Sequence, residues 1–406
     1  MRILIFGGSF NPPHLGHIRS VQTAAAALGP EKIFLIPASV PPHKELDPDS
    51  PSAAERLRMT ALAAAMIPGA EALDIELRRE GKSYTADTVC ELKARYPDDE
   101  LIFLLGTDML ITFPTWHEPE TIAANASIAV FSREKGRQAE VERAADILRD
   151  RYGATVYVIP GEPVEASSTA IRALLKARGG AALLPDEVYA HIIQKRLYGA
   201  KPDFEWLRRE AYAYLAPKRV AHVRGVEQEA LRLAERWGAD PGEAAEAAIC
   251  HDITKRLDHD EQLRLCEKYA IMTDELERAS EKLLHAKTGA ALASALFGLS
   301  TDTAIAIRFH TTGRPGMTTL EMITYLADYI EPGREGFAGL KELRKACYED
   351  LDRAMELALR MSLDEVRGKG SPAHINSVSG HAWYLNNLRR RGLAPVRAEG
   401  IPDTVG

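Results

Sequence analysis

Two groups of residues in this chain have the types and spacing that chemistry requires. The first is the run Gly7-Gly8-Ser9-Phe10-Asn11-Pro12-Pro13-His14-Leu15-Gly16-His17, directly after the apolar stretch Ile3–Phe6. Gly7 and Gly8 let a backbone approach a ligand closely. The amides that open the following helix favour phosphate oxygens. His14 and His17, three apart, can face one ligand from one helical turn. Two imidazoles beside such a turn suit the charge on a transferring phosphoryl group. A second patch, Ser167-Ser168-Thr169-Ala170-Ile171-Arg172, reads as a helix start with natural N-caps and a charged donor one turn in.

The second group lies beyond residue 200, where seven of the twelve histidines fall. His222, His251, His285 and His310 are joined by Asp252 and Asp328. Imidazole and carboxylate donors suit iron, manganese, zinc or magnesium-type divalent ions, with no thiolate preference. An adjacent His251-Asp252 on a helix could serve one metal or two, and two metals sharing a carboxylate could bind a phosphate and activate water. Each residue alone has a commoner use: a helical histidine is usually surface or satisfied core, and an aspartate is usually a salt-bridge partner.

These groups need elements to hold them. Ile3–Phe6, Ile33–Ile36, Leu101–Leu105, Ile128–Phe131 and Thr155–Ile159 read as strands buried on both faces, with helices such as Ala53–Met66 and Glu140–Arg151 between them. That alternation predicts an α/β doubly wound parallel sheet, Rossmann-like, with ligands at the carboxyl ends of its strands. From about Asp203 to Arg367 the pattern is helical. The expected division is residues 1–200, an all-α domain at 201–390, and a loose tail at 391–406, with the boundary near Gly199–Pro202.

Composition narrows the function. The net charge is −7 and acidic residues outnumber basic ones in both halves, which disfavours nucleic acid as a general partner. Cys90, Cys250, Cys266 and Cys347 form no CxxC pair and read as reduced thiols. No apolar run approaches the roughly 20 residues of a membrane span. The opening MRILIFGGSF resembles neither signal peptide nor anchor, so a cytoplasmic enzyme is expected.

The motifs GGSFNPPHLGH (7–17), PPHK (41–44), SYTADT (83–88), GTD (106–108), Trp116 and SSTAIR (167–172) resemble bacterial nicotinate-mononucleotide adenylyltransferase, of the nucleotidylyltransferase superfamily, over residues 1–199. Ala166 departs from the Ile or Val usual there. The resemblance implies that Gly7, Gly8, Ser9, Phe10, His14 and His17 meet ATP and its phosphates. It implies that Ser168, Thr169 and Arg172 hold phosphate and that Gly106 and Asp108 bind the adenosine side. Lys44 would meet the mononucleotide phosphate, and Thr85 and Trp116 the nicotinate. Alone, Lys44 could be a solvated loop charge and Trp116 an ordinary core aromatic. The implied reaction is attack of nicotinate mononucleotide on the α-phosphorus of ATP, with Mg²⁺ arriving on ATP.

The second half, over roughly 205–390, resembles the HD superfamily and, within it, the YqeK-type hydrolases of diadenosine tetraphosphate, through HDITK (251–255), FHTTGRPGMT (309–318) and LADYIEPGR (326–334). This implies metal ligation by His222, His251, Asp252, His285, His310 and Asp328, with Asp252 catalytic and iron the expected ion. Lys255, Arg308 and Arg314 would contact phosphate. Cleavage would be symmetrical, to two ADP. Two other readings stay open: an HD half acting on a different nucleotide, and a non-catalytic nucleotide-binding regulatory module. A homo-oligomer is compatible with all three.

Overall fold

The computed structural model describes residues 1–41, 47–131, 138–160 and 166–402. It divides into two compact units, Met1–Asp203 and Phe204–Gly406.

The first unit is built on six parallel strands: β1 (Arg2–Gly8), β2 (Lys32–Pro37), β3 (Ala70–Ala72), β4 (Glu100–Gly106), β5 (Ser127–Phe131) and β6 (Val156–Ile159), in the order β3-β2-β1-β4-β5-β6. The Ile, Leu, Phe and Val runs form because both sheet faces are covered: Ile3, Ile5, Phe34, Leu101, Leu105 and Ile128 are each no more than 3% exposed. The five expected strands are present. β3 was not expected; its sequence Ala-Glu-Ala has no β-branched residue, and it pairs only with β2 at the sheet edge. Chain order reverses between β1 and β4, which opens a crevice beyond Gly8 and Gly106. The helix Leu15–Leu28 starts at that crevice. It buries Ile18, Val21, Ala24 and Leu28 along one stripe and ends at Gly29, whose left-handed φ of 60° lets its N–H reach the Ala25 carbonyl.

Among the described residues the second unit is helical throughout. Its centre is Pro241–Cys250, whose Ala-rich sequence is buried on all sides from Ala244 onward. Small side chains there allow Pro217–Trp237, Thr301–Phe309 and Thr319–Ile330 to close in. A second close approach depends on Gly225: a β-carbon there would stand 2.4 Å from a carboxylate oxygen of Glu331.

The segment from 391, expected as a loose tail, is fastened through residue 402. The buried Arg360 guanidinium donates to the carbonyls of Val396 (2.5 Å) and Pro402 (2.7 Å), and Arg391 pairs with Asp350 and Asp352. Its Pro, Gly and charge content reads as loose in sequence, but its carbonyls are what a buried guanidinium needs.

Candidate active sites

A cavity of about 490 Å³ lies at the carboxyl ends of β1 and β4. Gly7, Gly8, Ser9, His17, Thr85, Gly106, Asp108 and Trp116 line it. His14 caps the helix Leu15–Leu28 and is 2% exposed. Its ring stacks on that of His17, with centroids 3.7 Å apart and planes 25° from parallel. The His14 backbone N–H donates to His17 Nδ1 at 3.1 Å. With Nδ1 accepting, the neutral His17 proton sits on Nε2, so the ring is a hydrogen-bond donor in a cavity of the right size for a nucleotide. Phe10 is fully buried, edge-on to Phe6 and His17, with φ 44°. Its side chain supports His17, and Phe10 itself does not line the cavity.

The Ser167–Arg172 patch is placed differently from the expected phosphate clamp. Ser167 caps the helix Ser168–Lys176, its hydroxyl accepting from Ala170 N–H. Ser168 donates to the Pro12 carbonyl at 2.9 Å, and Arg172 donates to the Asn11 carbonyl at 2.9 Å while pairing with Asp47. Thr169 accepts from Arg172 at 3.4 Å. None of these three lines the cavity. Here they fasten the turn that carries His14 and His17. Lys44 lies outside the described residues.

Arg56, Glu76, Tyr84 and His117 belong to this site and escaped the sequence reading. Arg56, 2% exposed, donates to the carbonyls of Ser9, Ala38 and Ser39 at 3.0, 2.6 and 3.2 Å, fixing the ends of β1 and β2. Glu76 lines the cavity yet is 6% exposed. Burial raises its carboxyl above the ordinary range, against the hydrogen bond it accepts from Thr88 at 2.7 Å and the charge of Arg79. Tyr84 and His117 face each other at the cavity wall, ring centroids 4.2 Å apart.

In the second unit the six expected ligands converge. His251 caps the end of Pro241–Cys250, and Asp252 lies in the turn beyond, so the pair is not inside a helix as expected. His251, Asp252 and His285 are fully buried, and His310 is 3% exposed. His285 Nε2 is 3.2 Å from both Asp252 Oδ1 and His310 Nε2; His222 Nε2 is 3.0 Å from Asp328 Oδ1. The donor atoms of His222, His251 and Asp328, and those of His251, Asp252 and His310, form two sets that each fall within 4.8 Å.

Hydrogen bonds fix which nitrogen is available. His251 Nδ1 meets the Ala248 carbonyl at 2.7 Å, and His310 Nδ1 meets the Ile307 carbonyl at 2.7 Å. His222 Nδ1 meets Glu331 at 3.1 Å. A carbonyl or carboxylate only accepts, so each Nδ1 carries the proton and each Nε2 lone pair faces the cluster. His251 Nε2 and Asp252 Oδ1 are buried without a hydrogen bond among the described residues. A divalent cation answers those orphaned donors, so the residues fit one. One imidazole nitrogen offers one lone pair, so His251 would serve an ion in only one of the two sets.

Electrostatics agree. Burial, with His285 and His251 nearby, pulls His310 down to about 3, and burial also lowers His285. Burial would raise Asp252 and Asp328, but His251 overrides it at Asp252 and His222 at Asp328, and both stay well below the usual carboxylate range. Ionised carboxylates and neutral imidazoles are the forms that bind metal. His251 is raised: burial lowers it, and the Asp252 charge outweighs that.

Of the expected phosphate contacts, Lys255 stands beside the cluster, 3.0 Å from His285 Nε2 and 3.5 Å from Asp252. Arg314 is bound through both arms of its fork to the buried Glu321, at 2.6 and 2.7 Å, which leaves little for a phosphate. Arg308, two residues before His310 on the same helical path, lines a separate cavity that none of the six ligands lines. Arg219, Glu331 and Arg334 were missed; they touch Asp252, His222 and Asp328 respectively. Glu331 and Arg334 lie in the run already singled out at 326–334, whereas nothing local marks Arg219.

A third His/Asp/Glu group is of another kind. His374 Nε2 is 3.3 Å from both Asp274 and Glu277, but its Nδ1 accepts the Asn376 N–H at 3.1 Å. That acceptor role leaves the proton on Nε2, so His374 is a helix cap whose Nε2–H faces two carboxylates.

The cytidylyltransferase-like family model matches residues 5–174, and the HD domain model matches residues 219–333. A probable nicotinate-nucleotide adenylyltransferase of Geobacter metallireducens is 34% identical over 213 residues, spanning 49% of this chain and 98% of its own. One of Aeromonas hydrophila is 38% identical over 209 residues, spanning 48% and 95%. The chain belongs to the nicotinate-nucleotide adenylyltransferase family. These adenylyltransferase relatives match about half of it, and the other half carries the HD domain. A crystal structure from Clostridium acetobutylicum, described as a predicted HD superfamily hydrolase involved in NAD metabolism, is 34% identical with a TM-score of 0.45, covering 46% of this chain and all of its own. No helix among the described residues is long and apolar enough to cross a membrane.

Proposed function

We propose that the first unit transfers the adenylyl group of ATP to nicotinate mononucleotide, giving deamido-NAD and pyrophosphate, a step of NAD biosynthesis. The observation that carries this is a nucleotide-sized cavity lined by both His17, whose Nδ1 is taken by the His14 amide, and Trp116. The mononucleotide phosphate oxygen attacks the α-phosphorus, and the bond from that phosphorus to the bridging oxygen breaks. The nucleophile is already an anion, so no general base is needed. His17 donates to the phosphate oxygens as charge builds, Asp108 and Gly106 meet the adenosine, and Trp116 stacks on the pyridine ring. Mg²⁺ arrives with ATP, held by phosphate and water.

For the second unit the reading is a metal-dependent phosphohydrolase that cleaves diadenosine tetraphosphate symmetrically to two ADP. The supporting observation is that His251 and His310 both anchor Nδ1 on a backbone carbonyl and aim Nε2 at Asp252. His222, His251, Asp252, His285, His310 and Asp328 would hold the ion; the donor set suits a divalent transition metal, and iron is the one the HD-type resemblance implies. A bound divalent ion supplies Lewis acidity toward the phosphate and the attacking water. Arg219 orients Asp252, Glu331 orients His222, and Lys255 is poised to meet phosphate charge.

One experiment tests both halves: product analysis of the purified protein with ATP plus nicotinate mononucleotide, and separately with diadenosine tetraphosphate and a panel of other nucleotides. Transfer to nicotinamide mononucleotide alone would sink the first reading. Cleavage of the panel but not of diadenosine tetraphosphate would replace the second with a different nucleotide substrate. Metal-loaded protein that binds nucleotides and cleaves none would make the half a regulatory module.

A further inference from the structure

The turn that presents His14 and His17 is held from the far end of its unit. Asn11, 3% exposed, is the hub. Its backbone carbonyl accepts from Arg172 at 2.9 Å, its side-chain N–H donates to Ser50 Oγ at 2.8 Å, and its side-chain oxygen accepts from the Tyr198 hydroxyl at 2.8 Å. The next residue but two is His14.

Tyr198 is 4% exposed and has φ 60° and ψ 13°, in the left-handed region that a β-carbon disfavours. Arg196 is there too, at φ 52°. Two non-glycine residues in that region within three positions persist only where surrounding contacts over-determine them, and such strain gathers at functional sites. The contact that Tyr198 gains in this conformation is the one to Asn11. Burial raises the phenol well above its ordinary range, so it remains a donor.

We propose that Tyr198 is a positioning residue for adenylyl transfer, fixing through Asn11 the turn that aims His17 into the cavity. In this arrangement Tyr198 donates to the Asn11 side-chain oxygen while the Asn11 side-chain nitrogen donates to Ser50, so both ends of the amide are held. Without the Tyr198 hydroxyl a buried amide oxygen loses its partner, and the turn keeps its backbone anchors from Ser168 and Arg172 but not its side-chain register. Packing would need only the ring. The inference rests on the reading of His17 as a contact to the transferring phosphoryl group.

The test uses the full chain with ATP and nicotinate mononucleotide. Tyr198→Phe should lower kcat about tenfold, as expected for an orphaned buried acceptor, with both KM values within about twofold of wild type. Tyr198→Phe combined with His17→Ala should be no slower than His17→Ala alone, because both losses pass through one contact. Asn11→Ser, approached from the other partner, carries the same two expectations and decides the matter if Tyr198→Phe is insoluble. A folded Tyr198→Phe at full kcat beside a slow His17→Ala would overturn this inference alone, as would losses that multiply. A His17→Ala at wild-type rate would overturn the reading beneath it and this inference together.

Discussion

His17 accepts the backbone N–H of His14 at Nδ1, 3.1 Å away, while the two rings stack. The helix cap and the proposed phosphoryl contact are therefore one structure. His17→Ala is expected to lower the rate of adenylyl transfer by roughly 10² to 10³, the usual loss of a contact made to transition-state charge. Steady-state kinetics with a thermal-unfolding control measure it; a rate near wild type in folded protein would refute the assignment.

Trp116 lines the cavity and also packs on Phe113, ring centroids 5.4 Å apart. Trp116→Ala should raise KM for nicotinate mononucleotide well above any change in KM for ATP, because stacking contributes to ground state and transition state alike. Some thermal stability should be lost with the Phe113 contact. Equal changes in the two KM values would leave only the packing role.

Glu76 is an acid held in the cavity wall with its pKa raised by burial. The folded state then binds this proton more tightly than the unfolded chain does. Its contribution to stability falls as pH rises from the unfolded value, about 4.3, toward the folded one. Glu76→Gln removes that titration and keeps an acceptor for Thr88. Its melting temperature relative to wild type should therefore rise between about pH 4 and neutrality. A difference that is flat across this range would show that the carboxyl is not held high.

Asp252 touches His251, His285 and Arg219. Prolonged chelation followed by Mg²⁺ alone should restore adenylyl transfer but not hydrolysis of diadenosine tetraphosphate, and Fe²⁺ or Mn²⁺ should recover the hydrolase. Asp252→Ala should lose metal and hydrolysis together while transfer persists. It should also cost the second unit roughly 3–5 kcal/mol, because it strands buried charge. Elemental analysis beside both rates is the measurement. Full hydrolysis by stripped protein, or a metal-replete active Asp252→Ala, would end the metal-site reading.

Much of this protein is written in short stretches of its sequence. The β1 strand, glycine turn and helix that hold Gly7 to His17 are adjacent in the chain, and each is specified by local sterics and periodicity. Five of the six His and Asp donors were legible as polar residues beside apolar helical runs, which need a reason to be there, and the resemblance implied the full set. Other features were decided only by contacts that form in the folded chain. The three-residue strand at Ala70 exists because β2 offers an edge, not because Ala-Glu-Ala prefers it. Arg314, a phosphate contact that the resemblance implied, is bound instead by Glu321. Arg172 is turned onto Asn11, and Arg219 is turned onto an aspartate 33 residues away. Which nitrogen of His251 faces the cluster depends on a carbonyl at the end of its helix, and the room for Glu331 depends on Gly225. Backbone preferences act over a few residues, so sequence carries them. Whether a buried charge is free or already paired depends on partners from seven to more than a hundred positions away, and only the folded chain brings them into contact.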